Sequence, residues 1–149
     1  MSFTGSDADS ISDASSAHRD EALISSAVRE LCNQLRANDP SVLTNRAFYI
    51  SYYDDDYIGR QNSEAECIAV FEALKENTSV KCIDFDRLFG GMYTKSSVLV
   101  AAEYVESSTT LQALYLSVRC HEGPHEIREM ISLVLRALSR NTSVTKLII

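Results

Sequence analysis

Four stretches of the chain gather apolar residues on one face of a helix. Ile24, Ala27, Val28, Leu31 and Leu35 follow the i, i+3, i+4, i+7 spacing of an amphipathic helix. Cys67, Val70, Phe71 and Leu74 form a second stripe, and Val98, Ala101, Ala102 and Val105 a third. The fourth is Ile127, Met130, Ile131, Val134 and Leu138. Each of the last three stripes is followed by a short run with apolar residues at its first, fourth and sixth positions: Val80/Ile83/Phe85, Leu111/Leu114/Leu116 and Val144/Leu147/Ile149. The spacing predicts strands over 80–85, 111–116 and 144–149, with these residues turned toward the helices and those between turned away. After the first helix the pattern is looser, with Val42 as first position and Phe48 and Ile50 as fourth and sixth.

The joints between helix and strand repeat as well. Ala73-Leu74-Lys75-Glu76-Asn77-Thr78-Ser79-Val80 returns as Ala137-Leu138-Ser139-Arg140-Asn141-Thr142-Ser143-Val144, with weaker copies at 104–111 and 34–42. Asn38, Asn77 and Asn141 stand just past their stripes, where a residue able to adopt a left-handed backbone closes a helix. Equivalent positions Val42, Val80, Leu111 and Val144 are 38, 31 and 33 residues apart. Strands joined in sequence by helices predict a parallel sheet with right-handed crossovers. A helix–turn–strand unit recurring at this period predicts an α/β right-handed solenoid of about four units, its short parallel sheet concave and its helices convex. Residues 1–20 hold six Ser and three Asp within their first sixteen positions and predict a disordered tail before a single repeat domain over 21–149.

The apolar 1, 4, 6 frame after an Asn-Thr-Ser turn, preceded by a helix ending Ala-Leu-Lys-Glu, resembles the leucine-rich repeat family, most closely its ribonuclease-inhibitor-like subtype. Asp56-Tyr57-Ile58-Gly59 is similar to the polar loop and Ile-Gly that open the family's helices, and Gly90-Gly91 and Gly123-Pro124 occupy similar places. The resemblance covers roughly residues 22–149. The units here are longer than the family's, Val, Ile, Cys or Phe often replaces Leu, and the asparagine after the strand is missing. The resemblance implies a protein-binding concave face and no particular partner. Residues 72–81 and Asn38-Asp39-Pro40 are also similar to the repeat domain of tropomodulins, which implies actin-filament capping as an alternative.

Charge narrows the partner. The 149 residues carry a net charge of −7, which argues against nucleic acid and against an anionic membrane surface. No apolar stretch approaches the ~18 residues of a membrane span. The four cysteines, Cys32, Cys67, Cys82 and Cys120, form no CxxC pair and fall at core-like positions. They read as free buried thiols in a reducing compartment, and the opening residues lack the features of a secretory signal, so the expected location is cytoplasmic.

Candidate chemistry is sparse. His121-Glu122-Gly123-Pro124-His125 spells HExxH, which in zinc hydrolases converges two histidines on a metal across one helical turn. Gly123-Pro124 interrupts that turn, because Pro124 belongs at the start of the fourth helix. A zinc-dependent hydrolase is the rival reading; the expectation is no metal, no cofactor and no enzyme activity. Asp54-Asp55-Asp56 lacks the alternate spacing of a calcium loop. Outward strand positions are Tyr49 and Ser51, Cys82 and Asp84, Ala113 and Tyr115, and Lys146 and Ile148. Tyr49, Asp84, Tyr115 and Lys146 are expected to line up as a partner-binding row. The last run, an uncovered strand, is open to pairing with a second copy or with further repeats. The reading as a whole is a non-catalytic protein-interaction or scaffold module that binds a protein through its strand face.

Overall fold

The computed structural model describes residues 24–44, 62–89, 94–116 and 124–149, with only the helical backbone described at 124–127. Its elements are α1 (Ser26–Arg36), a 3-10 helix (Pro40–Thr44), α2 (Glu64–Glu76), β1 (Cys82–Asp84), α3 (Phe85–Phe89), α4 (Lys95–Ser107), β2 (Ala113–Tyr115), α5 (Pro124–Arg140) and β3 (Lys146–Ile148). Residues 1–20, Phe48, Tyr49 and Ile50 lie outside the described residues.

The helix starts are set by side chains that satisfy the first free N–H groups. Ser25 Oγ accepts from the Val28 N–H at 3.4 Å. Ser63 and Glu66 form a reciprocal capping box on α2, and Thr94 and Ser97 form one on α4. α5 opens at Pro124, where a missing N–H costs nothing.

The three strands form an open parallel sheet in the order β1-β2-β3. The helices pack in the same sequence: α2 on α1, α4 on α2, α5 on α4. Ile83 and Leu114, at the centres of β1 and β2, are buried in one core with Phe71, Leu74, Ala101 and Val105 from the helices. The described residues are thus mixed α/β, a helix layer and a short parallel sheet sharing one core. Exposed ion pairs stitch successive helices: Arg36–Glu76, Lys75–Glu103, Lys95–Glu129 and Arg140–Glu106, each at 3.2 Å. Each is worth at most about 1 kcal/mol.

The middle of the core is aromatic. Phe71 of α2 has Phe85, Phe89 and Tyr104 around it at ring-centroid distances of 5.6, 5.5 and 6.0 Å. Phe85 and Phe89 are the first and last residues of α3 and meet edge to face at 5.5 Å. Such pairs add roughly 0.5–1.5 kcal/mol each beyond the area they bury. Burial pushes the Tyr104 phenol up, and its hydrogen bond with Ser108 pulls the other way.

Two expectations about the joints are corrected. The first strand does not begin at Val42, which is buried within the 3-10 helix. The left-handed closure holds at Asn38 alone, with φ of 53°; no other non-glycine among the described residues has positive φ. Asn77 is extended, at φ −86° and ψ 136°, and works through its side chain. Its Oδ1 accepts from the N–H groups of Ser79 (2.9 Å) and Val80 (2.7 Å), which turns the chain into β1. Its Nδ2 donates to the Leu35 carbonyl at the end of α1, 2.7 Å away. Asn141 repeats the arrangement, accepting from Ser143 and Val144 and donating to the Val105 and Ser108 carbonyls at the end of α4. At the intermediate joint Ser108 keeps only the acceptor half, its Oγ taking the Leu111 N–H.

Asn77→Leu should therefore cost about 2 kcal/mol, since it strands the buried Val80 N–H and leaves the Leu35 carbonyl with the Asn38 N–H alone of its two donors. Urea unfolding measures this, and an unchanged midpoint would contradict the role given to the corner.

Candidate functional site

The outward side of the sheet is the candidate site, and its geometry follows from strand register. Cys82 stands opposite Ala113, and Ala113 opposite Lys146; Asp84 stands opposite Tyr115, and Tyr115 opposite Ile148. The expected row of Asp84, Tyr115 and Lys146 is therefore split. Lys146 lies beside Ala113, one pleat away from the Asp84–Tyr115 row, because residue 146 is third in its run whereas 84 and 115 are fifth in theirs. Tyr49 lies outside the described residues.

Asp84 is also not the solvated carboxylate that an outward strand position suggests. Only 5% of it is exposed. Strand β1 ends there and α3 begins at the next residue, so Asp84 caps α3: its Oδ1 accepts from the Arg87 N–H at 3.1 Å. Its Oδ2 is 3.2 Å from Arg87 Nε in an ion pair largely withdrawn from water. Burial pushes the Asp84 carboxyl above the ordinary aspartate range, while the Arg87 N–H and guanidinium pull it back. Asp84 and Arg87 thus hold α3 in place and carry Phe85 and Phe89 into the core. The signal for this role was the Asp84-x-x-Arg87 spacing.

What remains accessible is Lys146, exposed beside half-buried Ala113 and Cys82, and Tyr115, half-buried next to Ile148. Lys81, Gln112 and Thr145 border the first row and are exposed. The surface joins one cation, one phenol and small apolar side chains across three strands.

A second carboxylate with a built role was missed from sequence. Glu66, 3% exposed, accepts from the Ser63 N–H at 2.9 Å and from the Ser25 N–H at 3.1 Å, joining the starts of α2 and α1. The Ser63-x-x-Glu66 pattern was its legible signal. Nearby, a cleft of about 640 Å³ opens between the starts of α1, α2 and α4, lined chiefly by Ile24, Ala65, Ile68 and Ala69. Its acidic wall residue, Glu64, already accepts from Thr94 Oγ1 at 2.8 Å.

Among the described residues no group of three or more His, Cys, Asp or Glu is placed to hold a metal ion. His121, Glu122 and the side chain of His125 lie outside them. No helix among them is long and apolar enough to cross a membrane. Cys32 and Cys67 are free thiols, both buried, and Cys82 is half-buried. Burial, reinforced by the Glu66 and Glu64 carboxylates, pushes Cys67 up to about 12. Burial also raises Cys32, against the Arg36 charge. Compared with protein-family models, curated proteins and solved structures, the chain matches none.

Two measurements check this electrostatic picture. A thiol of pKa near 12 is ionised in about one molecule in ten thousand at pH 8. Of these three cysteines, Cys82 should be labelled first by a neutral thiol reagent, and Cys67 only on unfolding; equal rates would refute the burial. For Asp84, a raised pKa makes its stabilising contribution complete below the ordinary aspartate value and lost as pH rises through the folded-state value. The unfolding free energy of the natural chain relative to Asp84→Asn should therefore fall as pH rises from below the ordinary aspartate value to neutrality. A relative stability that rises over that window would mean that the Arg87 pair outweighs burial.

Proposed function

We propose that this chain is a non-catalytic protein-interaction module of the cytoplasm, a solenoid of stacked helix–strand units that binds a protein partner through its strand face. The single observation that carries the reading is the parallel, in-register sheet. It sets outward side chains from three successive units in straight rows, about 4.8 Å from strand to strand. A face of this kind offers a partner a rigid, preorganised surface, and preorganisation lowers the entropy lost on binding. Tyr115 supplies the aromatic anchor that interface cores favour, and Lys146 supplies charge at its rim. The chain's net charge of −7 favours a neutral or basic protein over nucleic acid or an anionic membrane. The sequence resemblance to leucine-rich repeats supports the same reading.

Affinity capture with the full chain, read by mass spectrometry, tests it. Proteins retained by the natural chain should be lost with Tyr115→Ala combined with Lys146→Glu, and kept with Glu72→Lys on the helix layer. All three chains should unfold within about 1 kcal/mol of one another, as exposed or half-exposed substitutions do. An identical set of proteins on all three would remove the strand face from the proposal.

A further inference from the structure

The end of the molecule formed by α5 and β3 departs from the burial seen at every equivalent position before it. Leu147 matches Ile83 and Leu114, both fully buried, yet it is 40% exposed. Ile149 matches Phe85 and Leu116, exposed by 1% and 4%, yet it is 82% exposed. Leu135 of α5 matches Phe71 of α2, at the centre of the aromatic cluster, yet it is 44% exposed. At Phe71 the following helix supplies cover through Tyr104, 6.0 Å away between ring centroids.

The polar groups at this end continue three series. The Leu35 carbonyl takes the Asn77 side-chain amide and the Val105 carbonyl takes that of Asn141; Leu74, between them, faces the serine corner, and Leu138 is next in order. The Lys81 carbonyl takes the N–H groups of Gln112 and Ala113, the Gln112 carbonyl takes those of Thr145 and Lys146, and Thr145 is next. The Val80 carbonyl takes the Thr110 hydroxyl, the Leu111 carbonyl takes that of Ser143, and Val144 is next. Charge follows the same order. Lys95 of α4 pairs with Glu129 on the following helix, and Arg128, its equivalent on α5, is exposed with no ion pair among the described residues.

We infer that the α5–β3 end is a docking surface for one further helix–corner–strand unit, stacked in the same sense. That occupant adds a parallel strand to β3, carries a primary amide at its corner for the Leu138 carbonyl, and presents a carboxylate to Arg128. A second copy meeting this face through its own fits poorly. Lys95 faces the following helix through its pair with Glu129, and Arg128 holds the same position on α5, so two such faces would bring two cations together with no carboxylate between them. Antiparallel pairing of β3 with itself would also bring no corner amide to Leu138. This surface is separate from the strand face, and its claim stands whatever that face binds.

The test extends the full chain with a second copy of residues 117–149, which supplies the corner asparagine and the acid matching Glu129. The extension should raise the thermal midpoint by about 5 °C or more and slow hydrogen exchange at the Leu147 amide at least about tenfold. Leu147→Lys should leave the unextended chain's midpoint within about 2 °C and abolish most of the gain. A second extension built from residues 90–116 has serine at its corner in place of asparagine and should give a smaller gain. Extensions that leave midpoint and exchange unchanged overturn the inference. So does an unextended chain that sediments as a dimer and becomes a monomer with Leu147→Lys, which would make a second copy the occupant.

Discussion

Everything in this fold depends on how the chain turns from helix to strand while staying attached to the unit before it. The groups at such a corner are backbone N–H and C=O that the helix cannot satisfy, and they are buried at the Asn77 corner and partly buried at the Asn141 corner. A primary amide solves both halves at once. Its oxygen takes two N–H groups of its own turn, and its nitrogen takes a carbonyl from the end of the preceding helix. Asn77 and Asn141 are therefore local turn formers and long-range ties in one side chain. Serine at the middle corner forms the turn without the tie, and there Thr110 and Ser143 supply the links to neighbouring carbonyls.

That constraint explains the order of the layers. Once successive corners are tied, strands that leave them run parallel and in register, and helices that enter them lie side by side. The aromatic cluster then fills the space between helix layer and sheet. α3 is a single turn directly after β1 that delivers two phenylalanines to the core. Asp84 and Arg87 exist in their buried pairing to hold that turn, which withdraws them from the outward surface.

Much of this was legible in the chain because burial imposes a period. The stripes over α2 and α4 coincide with buried residues, and the 1, 4, 6 frame correctly marks the inward side of β1 and β2. The limits of the strands were not legible, since Phe85 is buried equally well as the last residue of a strand or the first of a helix. Nor was the mode of helix closure: the same residue type closes α1 with positive φ and α2 with an extended backbone. What differs is the following sequence, Asp39-Pro40 in one case and Thr78-Ser79 in the other. The outward row failed for a simpler reason. Counting along the runs puts residue 146 with 82 and 113, and a two-residue period leaves no tolerance for joining it to 84 and 115.

Glu66 has a consequence for exchanging one helix with another. Its counterparts in α4 and α5 are Ser97 and Met130, so the three junctions at this position present a carboxylate, a hydroxyl and a thioether. Only the first has two capping N–H groups converging on it. Exchanging α2 with either of its siblings would maroon a buried negative charge at one seam and leave an amide orphaned at another. The segments look alike in outline, yet this one carboxylate binds α2 to its place beside α1, a restriction that α4 and α5 do not share.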